Sequence, residues 1–149
     1  MKILHPTDFS ECAARAEALA VDLARKLGGD LVLVQALVEA PLYGEGFISH
    51  RDVQKVYDAQ RKWSEEALEA RAEQLRQSGV KTTWRVQTGA PHEEIIRTAE
   101  EERAGMIVMG THGRSGLNRM LLGSVAERVI RLAPCPVLTV REPKAGREQ

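Results

Sequence analysis

Residues 31–38 read Leu-Val-Leu-Val-Gln-Ala-Leu-Val, an almost unbroken apolar run. A strand with one face in water alternates apolar and polar side chains, whereas a parallel strand covered on both faces does not. This run therefore asks for a sheet with layers on either side. Three more short apolar runs share its character, at residues 2–5, 106–109 and 137–140. Residues 80–87 differ: Val80, Thr82, Trp84 and Val86 alternate with Lys81, Thr83, Arg85 and Gln87. That alternation predicts a half-exposed strand at a sheet edge.

Between the runs lie four segments of helical period. The first, 10–27, places Ala13, Ala16, Leu19, Ala20, Leu23 and Leu27 on one stripe, with Arg15 and Asp22 facing away and Gly28-Gly29 as its stop. The second, 52–77, is long. Its expected inward residues are Val53, Val56, Tyr57, Trp63, Ala67 and Leu75. The third opens at Pro91, with Glu93 and Glu94 in its first turn, carries Ile95, Ile96 and Ala99, and closes at Ala104-Gly105. The fourth, 124–132, directs Val125, Val129 and Leu132 inward. Strand and helix thus alternate from end to end. Right-handed crossovers turn that order into an open, doubly wound parallel α/β sheet of five strands. The expected strand order is 3-2-1-4-5, with a flavodoxin-like order as the alternative.

At 149 residues the chain suits one domain, expected over 1–141, followed by a disordered charged tail over 142–149. Lysine plus arginine balance aspartate plus glutamate at 21 each, so no global field recruits nucleic acid or an acidic membrane. No apolar run is long enough to span a bilayer and the N-terminus lacks a signal-peptide core, which makes a cytoplasmic location the expectation. Cys12 and Cys135 are too few and too far apart to form a disulfide framework or a metal cluster. Residues 41–50 form a loop long enough to reach over a site, or a simple crossover.

The stretch after the fourth strand carries the chemistry. Gly110, Gly113, Gly123 and Ser124 fall in a Gly-x2-Gly-x9-Gly-Ser spacing, ending where a helix begins. Glycines admit backbone N–H groups close to an anion, and a helix start adds unpaired donors and partial positive charge. The spacing is neither G-x-G-x-x-G nor Walker A. Arg114 and Arg119 add positive charge to the loop. In a 3-2-1-4-5 sheet this loop faces the segment after strand 1, Pro6-Thr7-Asp8, across the point where the winding reverses. Asp8 could accept hydrogen bonds from ribose hydroxyls or a base amino group. It could equally cap the first helix through Asp8-x-x-Glu11, or leave that to Ser10. Ser124 could meet a phosphate, or cap its helix through Ser124-Val-Ala-Glu127. His112 has no second histidine, cysteine or carboxylate at ligand spacing, and no Ser/His/Asp arrangement is present.

Four segments resemble the ATP-binding branch of the universal stress protein family: residues 3–10 (Ile-Leu-His-Pro-Thr-Asp-Phe-Ser), Gly89-Ala90-Pro91, the 110–124 loop, and residues 134–138 (Pro-Cys-Pro-Val-Leu). They occur in family order and span nearly the whole chain. The resemblance implies a Rossmann-like, adenine-nucleotide α-hydrolase-like fold with strand order 3-2-1-4-5. By position it makes Pro6, Thr7 and Asp8 adenosine-side contacts, with Ala36 beside the adenine. Met109 and Gly110 begin the loop, and His112, Gly113, Gly123, Ser124 and Val125 match triphosphate-contacting positions. It implies ATP as ligand, with Mg²⁺ or Mn²⁺ held mainly through phosphates, and a homodimer through Val137, Leu138, Thr139 and Val140. An edge strand of such β-propensity needs a partner on its own account.

Two positions depart from the family pattern. His5 replaces an apolar residue, so strand 1 should hold one polar, exposed or hydrogen-bonded position. Ala36 replaces a larger aliphatic. The functional expectation is nucleotide-dependent signalling in stress, with little or no hydrolysis, because no general base is evident. The alternatives are a dimeric interaction module without nucleotide, and an ATP-pyrophosphatase or adenylating enzyme. Against the latter stands Pro-Thr-Asp-Phe-Ser where such enzymes carry a Ser-Gly-Gly-x-Asp-Ser loop.

Overall fold

A computed structural model describes residues 1–39, 49–113 and 121–142. The elements run β1 (Lys2–Pro6), α1 (Glu11–Leu27), β2 (Asp30–Leu37), α2 (His50–Gln77), β3 (Thr82–Thr88), α3 (Pro91–Glu101), β4 (Met106–Gly110), α4 (Ser124–Leu132) and β5 (Val137–Val140). All neighbouring strands pair in parallel, in the order β3-β2-β1-β4-β5. This is the expected 3-2-1-4-5 order, and it sets the flavodoxin-like alternative aside. β3 and β5 are the edges. All but the first residue of the expected tail, and most of the 41–50 loop, lie outside the described residues.

Alternation along each strand divides the core into two layers. Ile3, Leu31, Leu33 and Val108 point to one face, where they meet Ala16, Ala20, Leu68 and Ala72 of α1 and α2. Leu4, Val32, Val34 and Ile107 point to the other, against Ile95, Ala99, Ala126 and Val129 of α3 and α4. The central strands are buried on both faces, which is why β2 reads as a continuous apolar run.

The helices correct several inward assignments. α1 buries Cys12, Ala13, Ala16, Glu17, Ala20, Val21 and Ala24, while Leu27 is 53% exposed. Small alanines let α1 lie close on the sheet, and Leu19 and Leu23 flank the contact half-buried. In α2 the buried residues are Ser64, Leu68, Ala72 and Leu75, and Trp63 and Val56 are mostly exposed. The reason is length. A helix of 28 residues extends ~42 Å, whereas the 8 residues of β2 cover only ~26 Å. The amino-terminal half of α2 therefore runs past the carboxyl ends of β2 and β3, where Arg61 donates to the Val86 carbonyl and Thr88 Oγ1, and it buries nothing before Ser64. In α4, Ala126 and Val129 face inward and Leu132 is exposed.

Candidate functional site: a cleft at the sheet switch point

β1 and β4 are adjacent, but their crossovers leave toward opposite faces. A cleft opens beyond their carboxyl ends. Its volume is about 570 Å³, and its walls come from β1, β2, β4, α1, α3, α4 and the connecting loops.

Pro6, Thr7 and Asp8 form one wall. Their conformation is held by local bonds. Thr7 N–H donates to the Val34 carbonyl at 2.8 Å, continuing the β1–β2 ladder by one step. Phe9 N–H then donates to Thr7 Oγ1 at 3.1 Å, and Ser10 N–H to Asp8 Oδ1 at 2.9 Å. Between those two turns Phe9 takes a left-handed φ of 59°, a costly backbone for an aromatic residue. Its ring packs edge-on against Trp63 at 5.6 Å. Ser10, rather than Asp8, caps α1, accepting from Ala13 N–H at 3.2 Å. The Asp8 capping box is therefore not formed, and Asp8 remains at the cleft.

The opposite wall is the loop after β4. Met109, Gly110, His112 and Gly113 line the cleft together with Thr111. Thr111 N–H donates to the Val140 carbonyl at 3.0 Å, and Thr111 O accepts from Gly123 N–H at 2.8 Å. His112 Nδ1 lies 2.9 Å from Thr111 Oγ1. The glycines sit where a side chain would crowd a neighbour. A Cβ on Gly110 would stand 2.7 Å from Cys12 Sγ, one on Gly123 2.8 Å from Thr111 O, and one on Gly113 2.9 Å from Asp8 Oδ2. Arg114 and Arg119 lie outside the described residues.

Gly123 is the N-cap of α4 and Ser124 its first helical residue, so the Ser124–Glu127 capping box does not form. Among the described residues, no side chain caps this helix. Gly123, Ser124 and Val125 line the cleft, and the first-turn amides have no intrahelical acceptor. Their donors and the helix dipole favour an anion there.

Ala36 lines the remaining side with Val34, Pro91 and Ile95, an apolar compartment suited to a flat ring. All eleven residues singled out in the sequence thus border one cleft. Val34, Pro91, Ile95 and Thr111 were not singled out. Val34 is two residues before Ala36 on the same strand face, and Ile95 is one turn after Pro91. Those spacings were legible, but only a known strand order says which face meets the cleft.

Among the described residues there is no group of three or more histidine, cysteine or acidic side chains placed to hold a metal ion. Both cysteines are free thiols. Burial pushes the Cys135 thiol above its ordinary range, so it is a weaker nucleophile than an exposed cysteine. No helix among the described residues is long and apolar enough to cross a membrane.

Comparison with known proteins agrees with this architecture. A universal stress protein of Methanocaldococcus jannaschii, MJ0531, is 36% identical over 96% of this chain and 83% of its own. A second from that organism, MJ0577, is 33% identical over 94% of each chain. A structure described as that of hypothetical protein MJ0577 superposes with a TM-score of 0.84, covering 97% of each chain. The Archaeoglobus fulgidus universal stress protein, solved in complex with dAMP, is 26% identical with a TM-score of 0.64 over 95% of this chain and 98% of its own. The model of the universal stress protein family matches residues 1–141, and the chain belongs to that family.

Proposed function

We propose that residues 1–141 form one nucleotide-binding unit that takes ATP in the switch-point cleft and acts as a stress-response signalling protein with little or no hydrolysis. The observation that carries the reading is the amino terminus of α4, capped by no side chain among the described residues, opening beside three closely packed glycines into a 570 Å³ cleft. Such a terminus is a phosphate site in waiting. The triphosphate lies along Gly110, His112, Gly113, Gly123, Ser124 and Val125. Mg²⁺ or Mn²⁺ is held mainly by phosphate oxygens, as hard cations with few protein ligands commonly are. Asp8 serves the ribose, and Pro6, Thr7, Ala36 and Met109 enclose the adenosine. The dAMP complex of the Archaeoglobus relative supports an adenine nucleotide as the ligand class.

The sequence offers no evident general base or nucleophile-orienting group, so turnover is slow at best. β5 is a sheet edge with Leu138 39% exposed. Pairing of Val137–Val140 with a second copy would cover it and give a homodimer.

Equilibrium dialysis of nucleotide-free protein against ATP, AMP and cyclic AMP tests the reading. It predicts one ATP per chain and weaker retention of the two monophosphates, which leave the α4 end of the cleft unfilled. A chain that dimerises but retains none of the three is an interaction module instead.

A further inference from the structure

His5 is fully buried in the middle of the sheet, an unusual place for an imidazole. Its neighbour explains it. In β1, Thr7 N–H points to β2, donating to Val34 O, so the residue before it addresses β4. In β4, Ile107 N–H donates to Pro136 O and Thr111 N–H to Val140 O, so odd-numbered residues address β5 and Val108 addresses β1. The last paired position between the two strands is Leu4 with Ile107. The next ladder bond would run from the N–H of residue 6 to the Val108 carbonyl. Residue 6 is proline and has no N–H. His5 Nδ1 lies 2.8 Å from Val108 O and takes that bond over. A carbonyl only accepts, so Nδ1 carries the proton, and Nε2 is a buried lone pair without a partner among the described residues.

The bond sits where β1 and β4 part. Directly beyond it, Pro6-Thr7-Asp8 and Met109-Gly110-Thr111 become the two walls of the cleft. We propose that His5 is a positioning residue for the cleft: its imidazole supplies the hydrogen bond Pro6 cannot make, and so sets how far apart and in what register the two walls begin. The consequence for ATP affinity rests on the function proposed above; the consequence for the walls themselves does not.

The experiment combines nuclear magnetic resonance of the full chain with a two-residue cycle. Ring ¹⁵N shifts of His5 should show the Nδ1-protonated tautomer, with a coupling through the hydrogen bond to the Val108 carbonyl carbon; an Nε2-protonated ring overturns the proposal without any variant. In His5→Leu the Thr7 and Gly110 amide resonances should shift. Adding Pro6→Ala, which restores an N–H at residue 6, should return Gly110 toward its original position. ATP affinity should fall about tenfold in His5→Leu, the effect of one orphaned buried carbonyl; the double variant is read by its amide resonances alone, because Pro6 itself lines the cleft. Unmoved amides, or a double variant no closer to wild type than the single, contradict the proposal. So does a folded His5→Leu with unchanged affinity where wild type binds ATP. If wild type binds no nucleotide but the amide shifts follow the cycle, His5 positions the walls and the ATP reading alone fails.

Discussion

Asp8 and Gly113 meet across the mouth of the cleft: a Cβ on Gly113 would lie 2.9 Å from Asp8 Oδ2. The carboxylate cannot swing aside freely, because its other oxygen accepts from Ser10 N–H at 2.9 Å. The two loops are therefore in contact through the absence of a side chain. Gly113→Ala should push them apart and weaken ATP binding about tenfold, with a change in melting temperature of only a few degrees, as calorimetric titration and thermal unfolding would show.

Gly110 depends on Cys12 in the same way, but inside the fold. A Cβ there would stand 2.7 Å from a sulfur that is itself 3.5 Å from the Val140 carbonyl. Gly110→Ala should cost about 1–3 kcal/mol by overpacking. Adding Cys12→Ala should recover part of that loss, since the remaining contacts are to Cys12 backbone atoms at 3.2 Å. Urea denaturation of the single and double variants measures the recovery; equal stabilities would contradict the contact.

Stability should fall as pH drops through the ordinary histidine range. Burial lowers the pKa of His5 below 6.5, and the Val108 bond and the Glu17 and Asp8 carboxylates offset that only in part, with Arg71 opposing them. The unfolded chain takes up a proton near 6.5 that the folded chain refuses, so His5 favours the folded state above that pH and penalises it below. The slope approaches but does not exceed ~1.4 kcal/mol per pH unit. Urea midpoints between pH 7.5 and 5.5 should show it in wild type, and His5→Leu should flatten that part of the curve.

Arg71 should matter more than its half-exposed position suggests. Its Nε and a terminal nitrogen both donate to Glu17 Oε1, at 2.7 and 2.5 Å, joining α2 to α1 over a carboxylate only 11% exposed. Arg71→Ala would leave that carboxylate buried without its cation, at a cost of about 1–2 kcal/mol given the half-exposed arginine. Glu17→Gln in the same background should recover part of it.

A charge on the β5 edge should separate a dimer. Leu138→Lys should lower the mass seen by light scattering from twice 16.5 kDa to 16.5 kDa, with the circular dichroism spectrum unchanged. A wild-type protein already at the lower mass would remove the strand-5 dimer from the account.

The sheet was legible because its signals are local: the unbroken 31–38 run and the alternation at 80–87. The helix faces were less so. Trp63 has the size and period of a core residue, yet the buried stripe of α2 runs through Ser64, Leu68, Ala72 and Leu75, and Trp63 lies beside it, 53% exposed and packed edge-on against Phe9. The capping boxes at Asp8 and Ser124 fit their patterns and formed neither time, because Ser10 and Gly123 were equally well placed and tertiary contacts chose between them. His5 departs from the family pattern in the sequence alone, but its meaning needs the register: only the pairing of Leu4 with Ile107 shows that Pro6 leaves the Val108 carbonyl without a backbone donor.

Calorimetric titration of nucleotide-free protein with ATP and Mg²⁺, beside a folded Gly113→Val variant, tests the central claim most directly. One site per chain in the wild type, with the heat abolished in the variant, is the predicted result. No heat from the wild type, or equal binding by both proteins, would contradict a phosphate cradle formed by the glycine loop and α4.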